Sequence, residues 1–362
     1  MIDNNNINVF TCKNIVGVMF MSHKEITIKD VAVKANVSVA TVSRVLNGLD
    51  RVSDTTRNKV QKIIEELDYE PNIMAASIIT KQTKMLAVVV PEIQNPFYTA
   101  VIEGTVAVAK NEGFSTFVFS TNGSKEEEKN FFEGFLRRNV DGIILIGTHN
   151  EKEFYQGIKK PVVLVDRFIE GVGLSGVVID NFRGAYEATN YLIENGHSEI
   201  AIITGPKDFN DGLERCWGYQ QSQKDNNIES KKEYQMFGNW FEDNGYQSTK
   251  KLMELNEPPT AIFAANNLIC QGTIKALRDM DIVIGKDISL VGFDENNLAE
   301  FVRPRVSVVK RPTHEMGVQA TQMLIQQIKG ESQIDVNPRK VTLGVELMKY
   351  GSVKRLAEGR RN

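Results

Sequence analysis

The sequence predicts a small α headpiece of helix-turn-helix build followed by an α/β body of two doubly wound parallel-sheet lobes. Three observations carry this. Between Ile26 and Asn47 two short amphipathic patterns meet at a turn, Asn36-Val37. A third amphipathic pattern follows Ser53. From Met85 to about residue 348, apolar runs alternate with amphipathic stretches, the signature of βα repetition.

In the first pattern Ile28, Val31, Ala32 and Ala35 fall at i, i+3, i+4 and i+7, and Thr27 and Asp30 have capping-box spacing. In the second, Ser38 is the expected N-cap. Val42, Val45 and Leu46 face inward, leaving Val39, Ala40, Ser43 and Arg44 outward. The third carries Val60, Ile63, Ile64 and Leu67 on one face, which closes a three-helix core. Any three-helix bundle would share that core. The helix-turn-helix spacing points instead to a second helix entering a DNA major groove. Arg44 is then the candidate for guanine, because its planar fork matches the O6/N7 pair. Val39 and Ala40 offer apolar or shape contacts, and Thr27, Ser38, Thr41, Ser43 and Asn47 complete the contact set, the serines, Thr41 and Asn47 mainly as phosphate-positioning groups.

Composition agrees. Net charge is −3, yet residues 22 to 84 hold ten Lys/Arg against eight Asp/Glu, so phosphate attraction is local rather than that of a strongly basic domain. The three cysteines, Cys12, Cys216 and Cys270, have no close spacing that would suggest a disulfide framework or a zinc site, so no metal and no cofactor is expected and a reducing cytoplasm is. No apolar run has bilayer length, so no membrane partner is expected.

The body's strand candidates are Met85 to Val90, Thr116 to Phe119, Gly142 to Ile146, Val162 to Val165, Val177 to Ile179, Ile200 to Thr204, Ala261 to Ala264 and Ile288 to Val291. Ligands in such sheets bind beyond the carboxyl ends of strands, so the segments after the apolar runs are the ones to watch. Gly171 to Gly176 formally matches a dinucleotide fingerprint, but it precedes a strand instead of following the first one. The histidines 23, 149, 197 and 314 are scattered, with no metalloprotease, nucleophile-elbow or Walker pattern, and no enzyme activity is expected.

The runs Thr-Val-Ser-Arg-Val-Leu-Asn at 41–47, Val-Ser-Asp-Thr-Thr-Arg at 52–57 and Leu-Asp-Tyr-Glu-Pro-Asn at 67–72 resemble the headpiece of the lactose-repressor/galactose-repressor family, and the family's order of motifs continues to about residue 348. The resemblance implies a leader over 1–21 that precedes the usual start, with Met21 or Met19 as the natural first residue. It implies a DNA-binding headpiece over 22–70, a hinge over 71–84, a two-lobed effector and dimerisation domain over 85–348 like periplasmic sugar-binding proteins, and a polar tail over 349–362. Lobe crossovers are expected near 168–181, 290–295 and 305–312. In the hinge, Asn72, Ala75 and Ile78 are implied DNA contacts, with Ile78 in place of the usual leucine as the wedge that kinks the minor groove.

The same resemblance implies an effector pocket built from Phe97, Asp166, Arg167, Arg215, Tyr219, Trp240, Asn267 and Asp294. Carboxylates and amides suit hydroxyl groups, and aromatic rings suit apolar C–H faces. A sugar is the leading effector. Asn267 stands where the family commonly has Asp, and Arg311 where Gln is usual, which keeps a sugar phosphate or acidic ligand in view. The implied protein is a homodimeric regulator, a repressor of carbohydrate-utilisation genes on a palindromic double-stranded operator. A protein corepressor is the alternative switch, and a sugar-binding transport protein is the rival class that fits the body but not the headpiece.

Overall fold

A computed structural model describes residues 26–46, 48, 52–69, 82–136, 139–294, 302–330 and 338–356. The chain divides into two compact units, 1–81 and 82–362.

In the first unit, α1 (Ile28–Ala35), α2 (Val39–Leu46) and α3 (Asp54–Glu66) pack around Val31, Ala35, Val42, Val45, Val60 and Ile63. Each boundary has a local cause. The Asp30 carboxylate accepts from the Thr27 amide at 2.8 Å and from its hydroxyl at 2.7 Å, closing the first turn of α1. Asn36 ends α1 in the left-handed conformation (φ 52°), and the Val37 amide then bonds the Ala32 carbonyl at 3.0 Å, the tight corner of the motif. Ser38 accepts from the Thr41 amide at 3.1 Å, and Ser53 from the Thr56 amide at 3.4 Å. Asn47 and the hinge residues Asn72, Ala75 and Ile78 lie outside the described residues, as does the 1–21 leader.

The second unit contains two six-stranded sheets. The first holds β1 (Met85–Val90), β2 (Ser115–Ser120), β3 (Gly142–Leu145), β4 (Val162–Val165), β5 (Ser175–Ile179) and β11 (Lys340–Leu343), in the order β11-β5-β4-β3-β1-β2. The second holds β6 (Ile200–Thr204), β7 (Gln235–Phe237), β8 (Ala261–Ala264), β9 (Ser289–Phe293), β10 (Ser307–Lys310) and β12 (Glu346–Met348), in the order β12-β10-β9-β8-β6-β7. The two orders are the same doubly wound pattern, parallel throughout except that β12 runs antiparallel to β10. Strands β3, β4, β5, β6, β8 and β9 are buried along their whole length, which is why none of them carries a charged residue.

The helices are α4 (Pro96–Asn111), α5 (Lys125–Phe131), α6 (Lys152–Gln156), α7 (Asn181–Glu194), α8 (Asn210–Asp225), α9 (Glu242–Met253), α10 (Asn267–Asp279) and α11 (Thr313–Lys329). Three pairs are joined through glycine. A β-carbon on Gly104 of α4 would lie 2.2 Å from the His314 carbonyl oxygen of α11, and one on Gly317 of α11 would lie 2.1 Å from that of Val101. A β-carbon on Gly218 of α8 would lie 2.2 Å from the Phe182 carbonyl oxygen of α7, and β-carbons on Gly245 of α9 and Gly272 of α10 would lie 2.1 and 1.9 Å from the Ile269 and Glu242 carbonyl oxygens. The helix backbones pack directly against each other at these points.

The chain passes between lobes after β5, after β10 and between β11 and β12. The crossing expected at 290–295 is therefore corrected: β9 and β10 are neighbours in one sheet, with Val291 beside Ser307, and the third passage is at 344–345. The apolar run ending at Phe293 enters the second sheet's interior and pairs there, so no passage is needed.

Candidate functional site

On α2 the residues expected to face outward do so. Val39, Ala40 and Arg44 are exposed and Ser43 is half-buried, while Val42 and Val45 are buried. Ser38 and Thr41 share a hydroxyl contact of 2.9 Å at the start of the helix. The N-terminal half of α2 thus presents a small apolar surface with one guanidinium beside it.

In the second unit a cavity of about 390 Å³ opens between the lobes. Its walls come from the carboxyl ends of both sheets: Pro91 to Tyr98 after β1, Asn122 after β2, Thr148 after β3, Asp166 and Arg167 after β4, then Pro206 to Arg215 after β6, Asn239 to Phe241 after β7, Asn266 and Asn267 after β8, Asp294 after β9 and Arg311 after β10. Nine strands therefore aim their following residues at one volume, as doubly wound sheets require.

Arg311 is the centre of its charge. Its Nη1 donates to Asp166 Oδ1 at 2.7 Å, its Nη2 donates to Asp294 Oδ2 at 2.6 Å, and its Nε donates to Asp294 Oδ1. The guanidinium lies 3.8 Å from the Phe97 ring centroid. Burial alone would pull the Arg311 pKa down, but the Asp294 and Asp166 carboxylates outweigh it and hold it above its ordinary value. Asp166 and Asp294 both adopt left-handed backbone, φ 67° and 73°, which turns each strand end sharply into the cavity.

Further contacts tie one lobe to the other. Asn267 Nδ2 donates to Asn95 Oδ1 at 2.7 Å. Arg167 Nη1 donates to the Gly147 carbonyl at 2.7 Å, its Nε stands 3.6 Å from Asp211 Oδ2, and its guanidinium covers the Phe209 ring at 4.3 Å. Arg215 donates from Nε to Asn181 Oδ1 at 2.9 Å and from Nη1 to the Ala265 carbonyl at 2.5 Å, with the Phe293 ring 3.9 Å away. Burial and then the nearby Arg311 charge lower its pKa. The Trp240 indole packs against Gly205, where a β-carbon would come within 2.1 Å of it. Thr148 is fixed by Glu128, which accepts from its amide at 2.7 Å and its hydroxyl at 2.6 Å.

Seven of the eight expected pocket residues, Phe97, Asp166, Arg167, Arg215, Trp240, Asn267 and Asp294, line this cavity. Tyr219 does not and is corrected. It is fully buried one helical turn beyond Arg215, and its hydroxyl donates to the Ile200 carbonyl at 2.7 Å at the opposite end of β6. Asn95, Thr148, Phe209, Asp211, Asn239 and Asn266 line it as well. Their only sequence signal was position after an apolar run, and for Asn95 a cap preceding Pro96, whose side chain accepts from the Phe97 amide at 3.0 Å.

Comparison with known proteins bears on both units. Residues 27–72 match the model of the bacterial regulatory proteins of the lacI family, and residues 189–353 match that of the periplasmic binding protein-like domain. The transcriptional repressor CytR of Escherichia coli is 31% identical over 335 residues, covering 91% of this chain and 97% of that one. The chain belongs to the lacI family. A solved transcriptional regulator, CelR in complex with cellobiose, superposes with a TM-score of 0.69 at 31% identity over 90% of this chain and 99% of its own. The lac repressor dimer bound to operator shares the fold, with a TM-score of 0.80 at 24% identity over 91% and 100%. This lacI-family chain is thus a helix-turn-helix transcriptional regulator with a two-lobed body of the periplasmic-binding type. Its relatives are transcriptional regulators rather than enzymes. Among the described residues no helix is long and apolar enough to cross a membrane.

Proposed function

We propose that this regulator is a cytoplasmic homodimer that represses carbohydrate-utilisation genes and changes its affinity for a palindromic operator when a sugar-like effector occupies the interlobe cavity. The carrying observation is the convergence of nine strand ends on one cavity lined by carboxylates, amides, guanidinium groups and the rings of Phe97 and Trp240. Similarity to a transcriptional regulator solved in complex with cellobiose supports a carbohydrate as the effector. A ligand shifts operator affinity only through different affinities for two lobe arrangements. Contacts such as Asn95–Asn267 and Arg311–Asp166 join the lobes directly and must change when the lobes move.

On DNA, Arg44 is the guanine reader, with Val39 and Ala40 supplying apolar contact and Thr27, Ser38, Thr41, Ser43 and Asn47 positioning the backbone. The hinge residues Asn72, Ala75 and Ile78 complete the interface. Selection of random duplexes by the intact chain, followed by anisotropy titration, tests this. A palindromic consensus is expected, and Arg44→Ala should cost roughly 1–3 kcal/mol on that consensus while relaxing one base pair per half-site. An equal loss on consensus and scrambled DNA removes Arg44 as a reader, and no consensus at all removes the operator reading.

A further inference from the structure

One wall of the interlobe cavity is a single thickness of chain. In the connection from β6 into the first turn of α8, Pro206, Phe209 and Asp211 line the cavity, whereas Lys207, Asp208 and Asn210 are exposed. Both ends of this span are fixed. The Trp240 indole packs on Gly205, and a β-carbon on Gly212 would lie 2.7 Å from the Pro206 carbonyl oxygen. Between those ends, four consecutive residues each meet the other lobe. Asn150 Nδ2 donates to the Asp208 carbonyl at 3.0 Å, the Arg167 guanidinium covers the Phe209 ring at 4.3 Å, Asn210 Nδ2 donates to the Phe168 carbonyl at 3.0 Å, and Asp211 Oδ2 stands 3.6 Å from Arg167 Nε.

These fastenings are of a kind that opens readily. The two amide–carbonyl bonds are exposed, so water replaces either partner at little net cost. Helix α8 also begins without a side-chain cap, because Phe209 occupies the position before its first turn. Helices α4 and α10, which start at the same cavity, differ in both respects. Asn95 accepts from the Phe97 amide at 3.0 Å and Asn266 from the Ile269 amide at 2.7 Å, while Asn267 bonds Asn95 across the lobes out of solvent. Arg311, Asp166 and Asp294 form a buried charged cluster, which is costly to break. The weakest stretch of the wall is therefore 206–211.

We propose that residues 206–211 are a lid with Arg167 as its clasp, and that a ligand enters by local opening of this lid while the Asn95–Asn267 and Arg311–Asp166 contacts stay closed. Arg167 is then a positioning residue: Nη1 anchors it to the Gly147 carbonyl of its own lobe, and its ring and ion contacts hold the lid. The inference rests on the effector reading only for what enters, so the lid is tested without any ligand. Hydrogen exchange of the full chain, read at single amides, compares Gly212 and Leu213 at the start of α8 with Ile269 and Cys270 at the start of α10. The α8 pair should exchange at least about tenfold faster, since local opening exposes it alone. Arg167→Gln, and separately Asn150→Ala with Asn210→Ala, should speed the α8 pair at least about fivefold further and leave the α10 pair unchanged. Equal exchange at the two helices in the unaltered chain, or acceleration of both in step, means that the lobes part as a whole and overturns the lid. No acceleration in either variant overturns the fastening and the proposal with it. Asn150 and Asn210 are exposed, so their variants carry the test if Arg167→Gln does not fold. Each of these failures leaves a sugar effector standing.

Discussion

Replacing Arg311 by methionine keeps most of the side-chain volume and removes the charge. In the native cavity the guanidinium is 4% exposed, and the carboxylates it joins, Asp166 and Asp294, are 8% and 4% exposed. Arg311→Met leaves both carboxylates buried without their cation, and breaking a buried pair from one side costs about 3–5 kcal/mol. Asp294→Asn alone is milder, because Arg311 retains Asp166 and the amide oxygen still accepts. The two changes should therefore be non-additive. The double variant should be more stable than the sum of the singles by about 2 kcal/mol, within the range for residues in one ion network. Urea titration followed by tryptophan fluorescence reads this cleanly, because both tryptophans, Trp217 and Trp240, lie in the second unit. A cost below about 1 kcal/mol for Arg311→Met, or additivity within about 0.5 kcal/mol, would show that the cluster is solvated and that the pairing described here does not hold the cavity.

Three further outcomes are expected. Gly272→Ala places a β-carbon 1.9 Å from the Glu242 carbonyl oxygen, a backbone atom that cannot rotate away. It should destabilise the second unit by about 1–3 kcal/mol or more, whereas Gly134→Ala, which meets nothing within 4 Å, should leave the thermal midpoint close to native. His197 is buried, with Nδ1 2.9 Å from Thr260 Oγ1 and Nε2 3.2 Å from the Lys354 carbonyl, and burial lowers its pKa below the ordinary 6.5. As pH falls through 6.5 the unfolded chain takes up this proton before the folded one, so stability is present above that pH and declines below it, by at most about 1.4 kcal/mol per pH unit for one proton. His197→Asn should remove that part of the slope, and parallel pH–stability curves for the two proteins would rule it out. Trp240 lines the cavity while Trp217 is 53% exposed on α8. A ligand that binds there should alter the emission of Trp217→Phe and leave that of Trp240→Phe unchanged; the reverse pattern would place the ligand elsewhere.

Much of the fold could be read in the chain because its signals are local. The stripe Val31, Ala32, Ala35 and the caps at Thr27, Ser38 and Ser53 involve residues three or four apart, and they mark the helices without reference to anything distant. The central strands are buried on both faces, so their sequences are continuous apolar runs. Strands β7, β10, β11 and β12 are not among those the sequence marks: β7, β11 and β12 are short and none of their residues is fully buried, which leaves alternating or mixed sequences such as Lys-Val-Thr-Leu and Glu-Leu-Met, and β10 has only Val308 and Val309 between Ser307 and Lys310. The misplaced crossing at 290–295 has a related cause: an apolar run shows that a strand is buried but not which sheet it joins.

The chain by itself therefore determined a helix-turn-helix with Arg44 outward, a doubly wound body, and the rule that its ligand residues follow strands. Tertiary structure alone decided which of those residues meet. Arg215 and Tyr219 stand four apart on one helix, yet one reaches the cavity and the other bonds Ile200, because Tyr219 lies one turn further along α8, level with the amino end of β6. Arg311 and Asp166 are 145 residues apart and belong to different sheets by their preceding strands, and only the packing of the two lobes brings guanidinium and carboxylate to 2.7 Å. Charge pairing across such a distance leaves no periodic trace along the chain, so the character of the cavity, with one arginine held by carboxylates that follow strands of both sheets, is a property of the folded body.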